Sequence, residues 1–149
     1  MKPFDAHLKL PAYLHKVQYY ETDGMQIVHH SNYIRYFEEA RMDFLEKIGI
    51  SFIEIEKMGF AVPVTSVTAD YKGMTRYGET LAICVRFESF SGVRFSFTYQ
   101  VYDAVSKDLR ATGKTEHCYL KDDKPVHLKR IWPEGYHSMM EQLGTESVV

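Results

Sequence analysis

A carboxylate and two adjacent histidines lie close together near the amino-terminal end of this 149-residue chain. Asp23 stands seven residues before His30, and His29 and His30 come just before a long segment of periodic apolar residues. A loop carboxylate can attack a carbonyl carbon directly, or it can deprotonate an attacking water molecule. The first turn of a helix offers unpaired N–H groups that stabilise the resulting oxyanion. This combination is typical of acyl transfer, although Asp in a Thr-Asp-Gly sequence is also an ordinary turn former.

The paired histidines do not form a metal-binding pattern. Adjacent residues of a helix point in different directions, since only residues three or four apart share a face. Neither His29 nor His30 belongs to a His-Glu-x-x-His sequence, and Cys84 and Cys118 lack a second cysteine at metal-ligand spacing. We therefore predict no metal site and no bound cofactor, and we expect both cysteines to be reduced, as in a cytoplasmic protein.

The longest helix is predicted over residues 31–48, directly after a loop at residues 21–30. Apolar side chains recur there at intervals of three and four residues: Ile34, Phe37, Phe44, Leu45 and Ile48. Ser31 or Asn32 is the predicted N-cap, and Gly49 is predicted to end the helix. The apolar face is broad, which predicts that a sheet covers much of the helix.

Strands are predicted around this helix. Their ranges are residues 12–20, 60–71, 79–90, 94–103 and 109–120, after a lead-in at residues 1–11. Pro63 predicts an edge position or a bulge at the start of the second strand. Shorter helices are predicted at residues 52–59, capped by Ser51, and within residues 130–143. The order of one strand, two helices and four strands predicts an α+β fold with five antiparallel strands.

Composition fits a single domain over residues 1–149. Hydrophobic residues make up 45% of the chain, which is enough to fill one core. A net charge of −2 favours neither nucleic acid nor a membrane surface as a partner. No apolar run approaches the roughly 20 residues that span a bilayer, and the first residues lack the apolar region of a signal peptide. A cytoplasmic location is therefore expected.

The segment from Val17 to Gly49 resembles the 4-hydroxybenzoyl-CoA thioesterase family of hotdog-fold acyl-CoA thioesterases, including its YbgC-like branch. The resemblance rests on Glu-Thr-Asp at residues 21–23, Val-His-His at 28–30, Tyr33, and Phe-Glu-Glu-Ala-Arg at 37–41. Looser matches continue through Asp70-Tyr71 and residues 77–81 into the last strands. The family's fold is a five-stranded antiparallel sheet wrapped around one long helix, which agrees with the predicted order of elements.

The resemblance implies hydrolysis of a small or medium acyl-CoA, with aromatic acyl groups included. Asp23 matches the family's catalytic carboxylate, as nucleophile or general base, and His30 matches the residue whose backbone N–H faces the thioester carbonyl. Tyr33 matches a helix residue near the acyl group. The family often has glycine where this chain has Gln26, so Gln26 is predicted to line the acyl pocket. A homodimer or homotetramer with active sites at subunit interfaces is also implied.

Coenzyme A would need cations for its phosphates, and Arg76, Arg94 and Lys72 are the predicted candidates. Glu38 falls where a second hotdog subgroup has its catalytic glutamate, and it is the alternative to the loop carboxylate. Two other functions stay open. One is a hydratase or dehydratase acting on acyl thioesters through the same histidine and an acid. The other is a non-catalytic module that binds acyl-CoA.

Overall fold

A computed structural model describes residues 9–149 of the chain. Five strands form one antiparallel sheet: β1 (Tyr13–Lys16), β2 (Val64–Tyr71), β3 (Thr80–Phe90), β4 (Arg94–Asp103) and β5 (Leu109–Cys118). Their spatial order is β1-β3-β4-β5-β2. The helices are α1 (Asn32–Lys47), α2 (Phe52–Lys57), α3 (Leu128–Ile131) and α4 (Pro133–Gln142). The predicted α+β architecture of one long helix and five antiparallel strands is confirmed.

The core lies between α1 and the inner face of the sheet. The predicted apolar faces of two central strands are buried there: Leu81, Ile83, Val85 and Phe87 of β3, and Phe95, Phe97, Tyr99 and Val101 of β4. Phe37 of α1 stacks on Tyr99 with ring centroids 4.5 Å apart. A Cβ atom at Gly113 would lie 2.3 Å from the Phe37 ring, so the helix approaches β5 as closely as it does only because that residue is glycine.

The predicted ends of two helices are confirmed. Gly49 follows α1 with a φ of +83°, a left-handed conformation that glycine adopts without strain. The N–H of Ile50 then bonds to the carbonyl of Leu45 at 2.9 Å and completes a Schellman motif. At the start of α2, the hydroxyl of Ser51 accepts the N–H of Glu54 at 3.2 Å.

The first strand is shorter than predicted. It ends at Lys16, and residues Tyr19–Glu21 form a 3-10 turn instead. The turn forms because the carboxylate of Glu21 accepts the backbone N–H of Gln18 at 2.7 Å and draws the chain out of the sheet. Tyr19, which falls within the predicted strand, is 76% exposed.

The other differences from prediction lie at element ends. Strand β2 begins at Val64 rather than at residue 60, and its register shifts between Val64 and Ser66, as Pro63 predicts for a sheet edge. The terminal helix is divided into α3 and α4, with Pro133 as the first residue of the second. Residues 1–8 of the predicted lead-in lie outside the described residues, while Leu10–Pro11 pairs with Ser147–Val148. None of the helices within residues 9–149 is long and apolar enough to cross a membrane.

Candidate active site

The loop after the first strand folds tightly around Asp23. The Asp23 N–H donates to the carbonyl of Ile27, and the Asp23 carbonyl accepts the N–H of Gln26, both at 2.9 Å. One carboxylate oxygen, Oδ1, accepts the N–H of Met25 at 2.8 Å. The other oxygen, Oδ2, has no hydrogen-bond partner within residues 9–149. The carboxylate is therefore oriented through one oxygen while the second is free to react.

Gln26 closes this turn in a strained conformation. Its φ is +62°, in the left-handed region that side-chain-bearing residues seldom adopt. A glycine at the same position would adopt it at no steric cost, which accounts physically for the glycine that the resembling family often has there. The Gln26 side chain is exposed and is not among the residues lining the nearby cleft, so its predicted role in the acyl pocket remains a prediction.

The two histidines at the start of the helix have different environments. Of the two predicted N-caps, Asn32 is the first residue of α1, and Ser31 holds the N-cap position but makes no capping bond through its side chain. His29 takes this place, because its Nδ1 accepts the N–H of Ser31 at 3.2 Å and lies 2.8 Å from the Ser31 hydroxyl. Its carbonyl accepts the N–H of Asn32 at 3.0 Å, so the first turn starts before α1 itself. His29 is therefore structural in this arrangement.

The backbone N–H of His30 takes no part in these hydrogen bonds. It belongs to the same peptide group as the His29 carbonyl, so the bond from Asn32 to that carbonyl fixes its direction. Among the described residues it has no hydrogen-bond acceptor. The His30 carbonyl accepts the hydroxyl of Tyr71, at the end of β2, at 3.1 Å. An oriented, unpaired N–H at a helix N-terminus is the donor that an oxyanion requires.

Glu21 ties the loop to the helix, a role that its sequence position alone does not reveal. Its side chain is buried and lies 2.9 Å from Nε2 of His15. Its carbonyl accepts both the N–H of His29 and the side-chain amide of Asn32, each at 2.8 Å. The only hint in the sequence is that Glu21 stands two residues before Asp23.

The opposite wall of the cleft is the connection after β2. Arg110 of β5 organises this connection: its backbone carbonyl accepts two N–H groups of the connection, and its guanidinium donates to the Met74 carbonyl. The same guanidinium lies 3.3 Å from the hydroxyl of Thr75 and pairs with Glu79 at 3.0 Å. Thr75 in turn lies 3.1 Å from the hydroxyl of Tyr33. Arg110 was not predicted as a site residue, because its partners are distant in sequence.

The loop around Asp23, the start of α1 and the connection after β2 line an open cleft of about 440 Å³. Its lining comes from the loop, the helix start and the connection: Asp23, Met25, Ile27, Val28, His30, Tyr33, Tyr71, Lys72, Gly73, Met74 and Thr75. Tyr33 is buried, and its burial raises the pKa of its hydroxyl, so the group stays protonated. The structure thus brings Asp23, His30 and Tyr33 to one site.

The predicted CoA-binding cations lie in three different places. Lys72 lines the cleft itself. Arg76 lies beside the cleft, because its backbone pairs with that of Ile27, which lines the cleft. Its side chain is exposed. Arg94 lies at the far end of the sheet, because Tyr71 is in register with Val101 through β5, and Arg94 precedes Val101 by seven residues. At about 3.3 Å per residue that separation is about 23 Å.

Glu38 and Arg41, further along α1, line a second cavity rather than the cleft. Arg41 donates to the hydroxyl of Tyr99 at 3.1 Å, and Tyr99 lies 2.6 Å from Thr115. Thr115 also lies 2.7 Å from Nε2 of His117. Burial, with a smaller contribution from the Arg41 charge, lowers the pKa of His117 to about 3, so its ring is neutral at physiological pH.

The arrangement at the cleft suits attack on a carbonyl group. A carboxylate oxygen supplies the base or nucleophile, and a fixed N–H at the positive end of a helix supplies the oxyanion donor. Within residues 9–149 there is no group of three or more His, Cys, Asp or Glu side chains that could hold a metal ion.

A family model described as the thioesterase-like superfamily matches residues 17–134. The chain is 37% identical, over 119 residues, to an Aquifex aeolicus (strain VF5) protein named provisionally as an esterase, covering 79% of this chain and 91% of that protein. It is 30% identical, over 129 residues, to YneP of Bacillus subtilis (strain 168), named provisionally as an acyl-CoA thioesterase, covering 85% and 92%. A solved structure, a DHNA-CoA thioesterase from Staphylococcus aureus, has a TM-score of 0.83 at 32% identity and covers 88% of this chain and 89% of that one.

The match spans the loop, the long helix and all but the first of the five strands, so it includes every residue that lines the cleft. The predicted family resemblance and the hotdog fold are thereby confirmed, as is the expectation of an enzyme of the thioesterase class. The chain belongs to the thioesterase-like superfamily.

Proposed function

We propose that this protein hydrolyses the thioester bond of acyl-CoA substrates in the cleft between Asp23 and the His30 amide. The observation that carries the proposal is that Asp23 and His30 line the same cleft, and that within residues 9–149 one carboxylate oxygen of Asp23 and the backbone N–H of His30 have no hydrogen-bond partner. The names of YneP and of the Staphylococcus aureus structure support acyl-CoA as the substrate class. The resemblance favours a small or medium acyl group, aromatic ones included.

Two mechanisms use this geometry. As general base, Asp23 takes a proton from water, and the water oxygen attacks the thioester carbonyl carbon. As nucleophile, a carboxylate oxygen attacks that carbon and forms a mixed anhydride, which water then hydrolyses. In both, the negative charge on the carbonyl oxygen is stabilised by the His30 N–H. The carbon–sulfur bond then breaks, and coenzyme A leaves as a thiolate that takes up a proton. Neither route requires a metal ion or a cofactor.

The test is hydrolysis of a panel of acetyl-, medium-chain, long-chain and aromatic acyl-CoAs, followed as free thiol with a chromogenic disulfide. Asp23→Asn is expected to lower kcat/KM at least about 100-fold, the scale of losing an acid–base group. The substitution is well matched, because the amide oxygen of asparagine can still accept the Met25 N–H and keep the turn. Asp43→Asn is the control, since Asp43 pairs with Lys47 on the helix surface away from the cleft.

Other outcomes would identify the rival functions. A fall in activity in Glu38→Gln, with Asp23→Asn unimpaired, would move catalysis to the helix glutamate. A change in the absorbance of an enoyl thioester would indicate a hydratase. Binding of acyl-CoA without release of thiol across the panel would indicate a non-catalytic module. Each of these results contradicts the proposed mechanism.

Three further properties belong to this proposal. A homodimer or homotetramer would join subunits beside the site, and β2 is the sheet edge nearest the cleft because Tyr71 ends there. Lys72 and Arg76 are the proposed contacts for the CoA phosphates, and Arg94 would contribute only from another position along the coenzyme A part of the substrate or from another subunit. The location proposed for the protein is the cytoplasm.

A further inference from the structure

Glu21 is a buried carboxylate that the proposed hydrolysis does not use. Glutamate is rarely buried unless it is paired, because removing its charge from water is costly. Its side chain does not line the cleft. Both its backbone and its carboxylate are nevertheless bonded to the elements that carry the two reactive groups, and these bonds indicate its role.

The backbone carbonyl of Glu21 orients the start of the helix. It accepts the N–H of His29 and the side-chain amide of Asn32, each at 2.8 Å. The Asn32 N–H donates in turn to the His29 carbonyl at 3.0 Å, and that carbonyl shares a peptide group with the His30 N–H. Three hydrogen bonds therefore set the direction of the His30 N–H, and two of them end at the Glu21 carbonyl.

The same carbonyl closes the base of the loop that carries Asp23. Three successive backbone contacts join the two arms of this loop: Glu21 with His29, Thr22 with Val28, and Asp23 with Ile27. Asp23 lies two residues from the pair of Glu21 and His29, and His30 lies one residue from it. The distance between the Asp23 carboxylate and the His30 N–H therefore depends on how firmly this pair is held.

The Glu21 carboxylate fixes this pair to the first strand and to the helix. One oxygen accepts the N–H of Gln18 at 2.7 Å, and the two oxygens lie 2.9 and 3.2 Å from Nε2 of His15 in β1. Nδ1 of His15 lies 3.5 Å from the carboxylate of Glu39 in α1. The His15 ring also packs on Tyr36 of α1, with ring centroids 4.4 Å apart. His15 thus stands between a carboxylate of the loop and a carboxylate of the helix.

We infer that Glu21 is a positioning residue, which acts through its contact with His15 to fix the Asp23 carboxylate and the His30 N–H relative to each other. The inference rests on the proposed function and deepens it with two residues that do not line the cleft. Attack requires the reacting atoms to lie about 3–3.5 Å apart, and a misplacement of about 1 Å costs about 100-fold in rate. Loss of either residue should therefore lower kcat and leave KM nearly unchanged.

The test measures kcat and KM with the acyl-CoA that the unmodified protein hydrolyses fastest. Glu21→Ala is expected to lower kcat about 30- to 100-fold and to change KM less than about threefold. Glu21→Gln keeps an oxygen for the Gln18 N–H and an amide group beside His15, so it should retain at least about a tenth of the unmodified kcat. His15→Ala should lower kcat at least about tenfold, with KM again nearly unchanged.

A double variant tests whether Glu21 and His15 act as one unit. Glu21→Ala combined with His15→Ala is expected to lose less than about threefold beyond Glu21→Ala alone, since residues that act through one shared contact are not additive. Independent roles would multiply the two losses instead.

Leu128→Ala is the control for a general loss of stability. Leu128 is fully buried, and its N–H donates to the Gly92 carbonyl at the same end of the sheet as Arg94, far from the cleft. The substitution leaves a cavity and destabilises the fold, as the loss of a buried ion pair does. At a temperature at which urea unfolding shows each variant to be folded, it should change kcat less than about twofold.

Three results would overturn the inference: an unchanged kcat in Glu21→Ala, a loss of kcat in Leu128→Ala as large as that in Glu21→Ala, or multiplied losses in the double variant. If Glu21→Ala does not fold, His15→Ala with and without Glu21→Gln gives the same comparison, and multiplied losses would again refute the inference.

Hydrogen exchange tests the inference without turnover. If no substrate releases thiol, the proposed function fails, but the exchange rate of the His29 N–H can still be compared with that of Val101 in the central strand β4. Relative to Val101, the His29 N–H should exchange at least about tenfold faster in His15→Ala than in Leu128→Ala, because only the first variant loosens the base of the loop. Equal relative rates would refute the inference.

Discussion

Replacing Gln26 with glycine is expected to make the protein more stable, although it removes a side chain. A left-handed conformation costs a residue with a side chain about 1–2 kcal/mol, and Gln26 bears this cost at a φ of +62°. The side chain is exposed and forms no hydrogen bond with any described residue, so nothing is lost with it. Glycine adds about 0.5–1 kcal/mol of conformational freedom to the unfolded chain. The difference predicts a net gain of about 0.5–1 kcal/mol in the free energy of unfolding.

The neighbouring residue offers a control of opposite sign. Met25 lies in the same turn and is also exposed, but its φ is outside the left-handed region. Met25→Gly therefore adds unfolded-state freedom without relieving strain, and it should lower the free energy of unfolding by about 0.5–1 kcal/mol.

The measurement is urea unfolding of both variants and the unmodified protein at one protein concentration. The midpoint should rise for Gln26→Gly and fall for Met25→Gly, with the slope of the transition unchanged. In thermal unfolding the gain corresponds to an increase in Tm of about 1–4 °C for a chain of this length. If Gln26→Gly destabilises the protein as much as Met25→Gly does, Gln26 is not strained and the interpretation of the loop is wrong.

Two more predictions concern the core. Gly113→Ala places a methyl group 2.3 Å from the Phe37 ring and should cost about 1–3 kcal/mol in urea unfolding, and Phe37→Leu in the same chain should recover part of this loss. The folded pKa of His117, about 3, lies below the unfolded value of about 6.5, so only the unfolded chain binds the proton between these values. The His117 contribution to stability is therefore complete above pH 6.5 and falls by up to about 1.4 kcal/mol per pH unit below it. Unfolding measured from pH 7 to pH 4 should show a smaller loss in His117→Leu; an equal loss would assign the acid sensitivity to other groups.

The parts of the fold that were predicted correctly depend on local patterns. The periodicity of residues 31–48 and the glycine at position 49 define α1 without reference to the rest of the chain. The length of β1 was predicted wrongly because alternation continues through residue 20 in the sequence. The strand ends earlier because Glu21 reaches back to the Gln18 N–H, and a single side chain of that kind leaves no periodic signal.

The contrast between local patterns and contacts of distant residues also explains which site residues were predicted. Asp23 and His30 were predicted together because a short loop keeps them close, and the structure brings both to one cleft. Arg94 was grouped with them because it begins a strand, but only the register of the sheet decides which end of that strand meets the cleft. Arg110 was missed for the converse reason, since its contacts to residues 74, 75 and 79 come together only through the pairing of β5 with β2.

The two borders of the sheet are unequally protected. On one side β1 is only four residues long, and residues 144–147 cover β3 beyond it, where the Phe87 N–H donates to Thr145. On the other side β2 pairs with β5 alone within residues 9–149, so its eight residues turn one edge outward, and the irregularity near Pro63 interrupts that edge. A sheet with one long free border can join one like sheet by strand pairing and is then saturated. Growth into an open-ended fibre would need a second free border, and the covering of β3 by the carboxyl-terminal residues removes it.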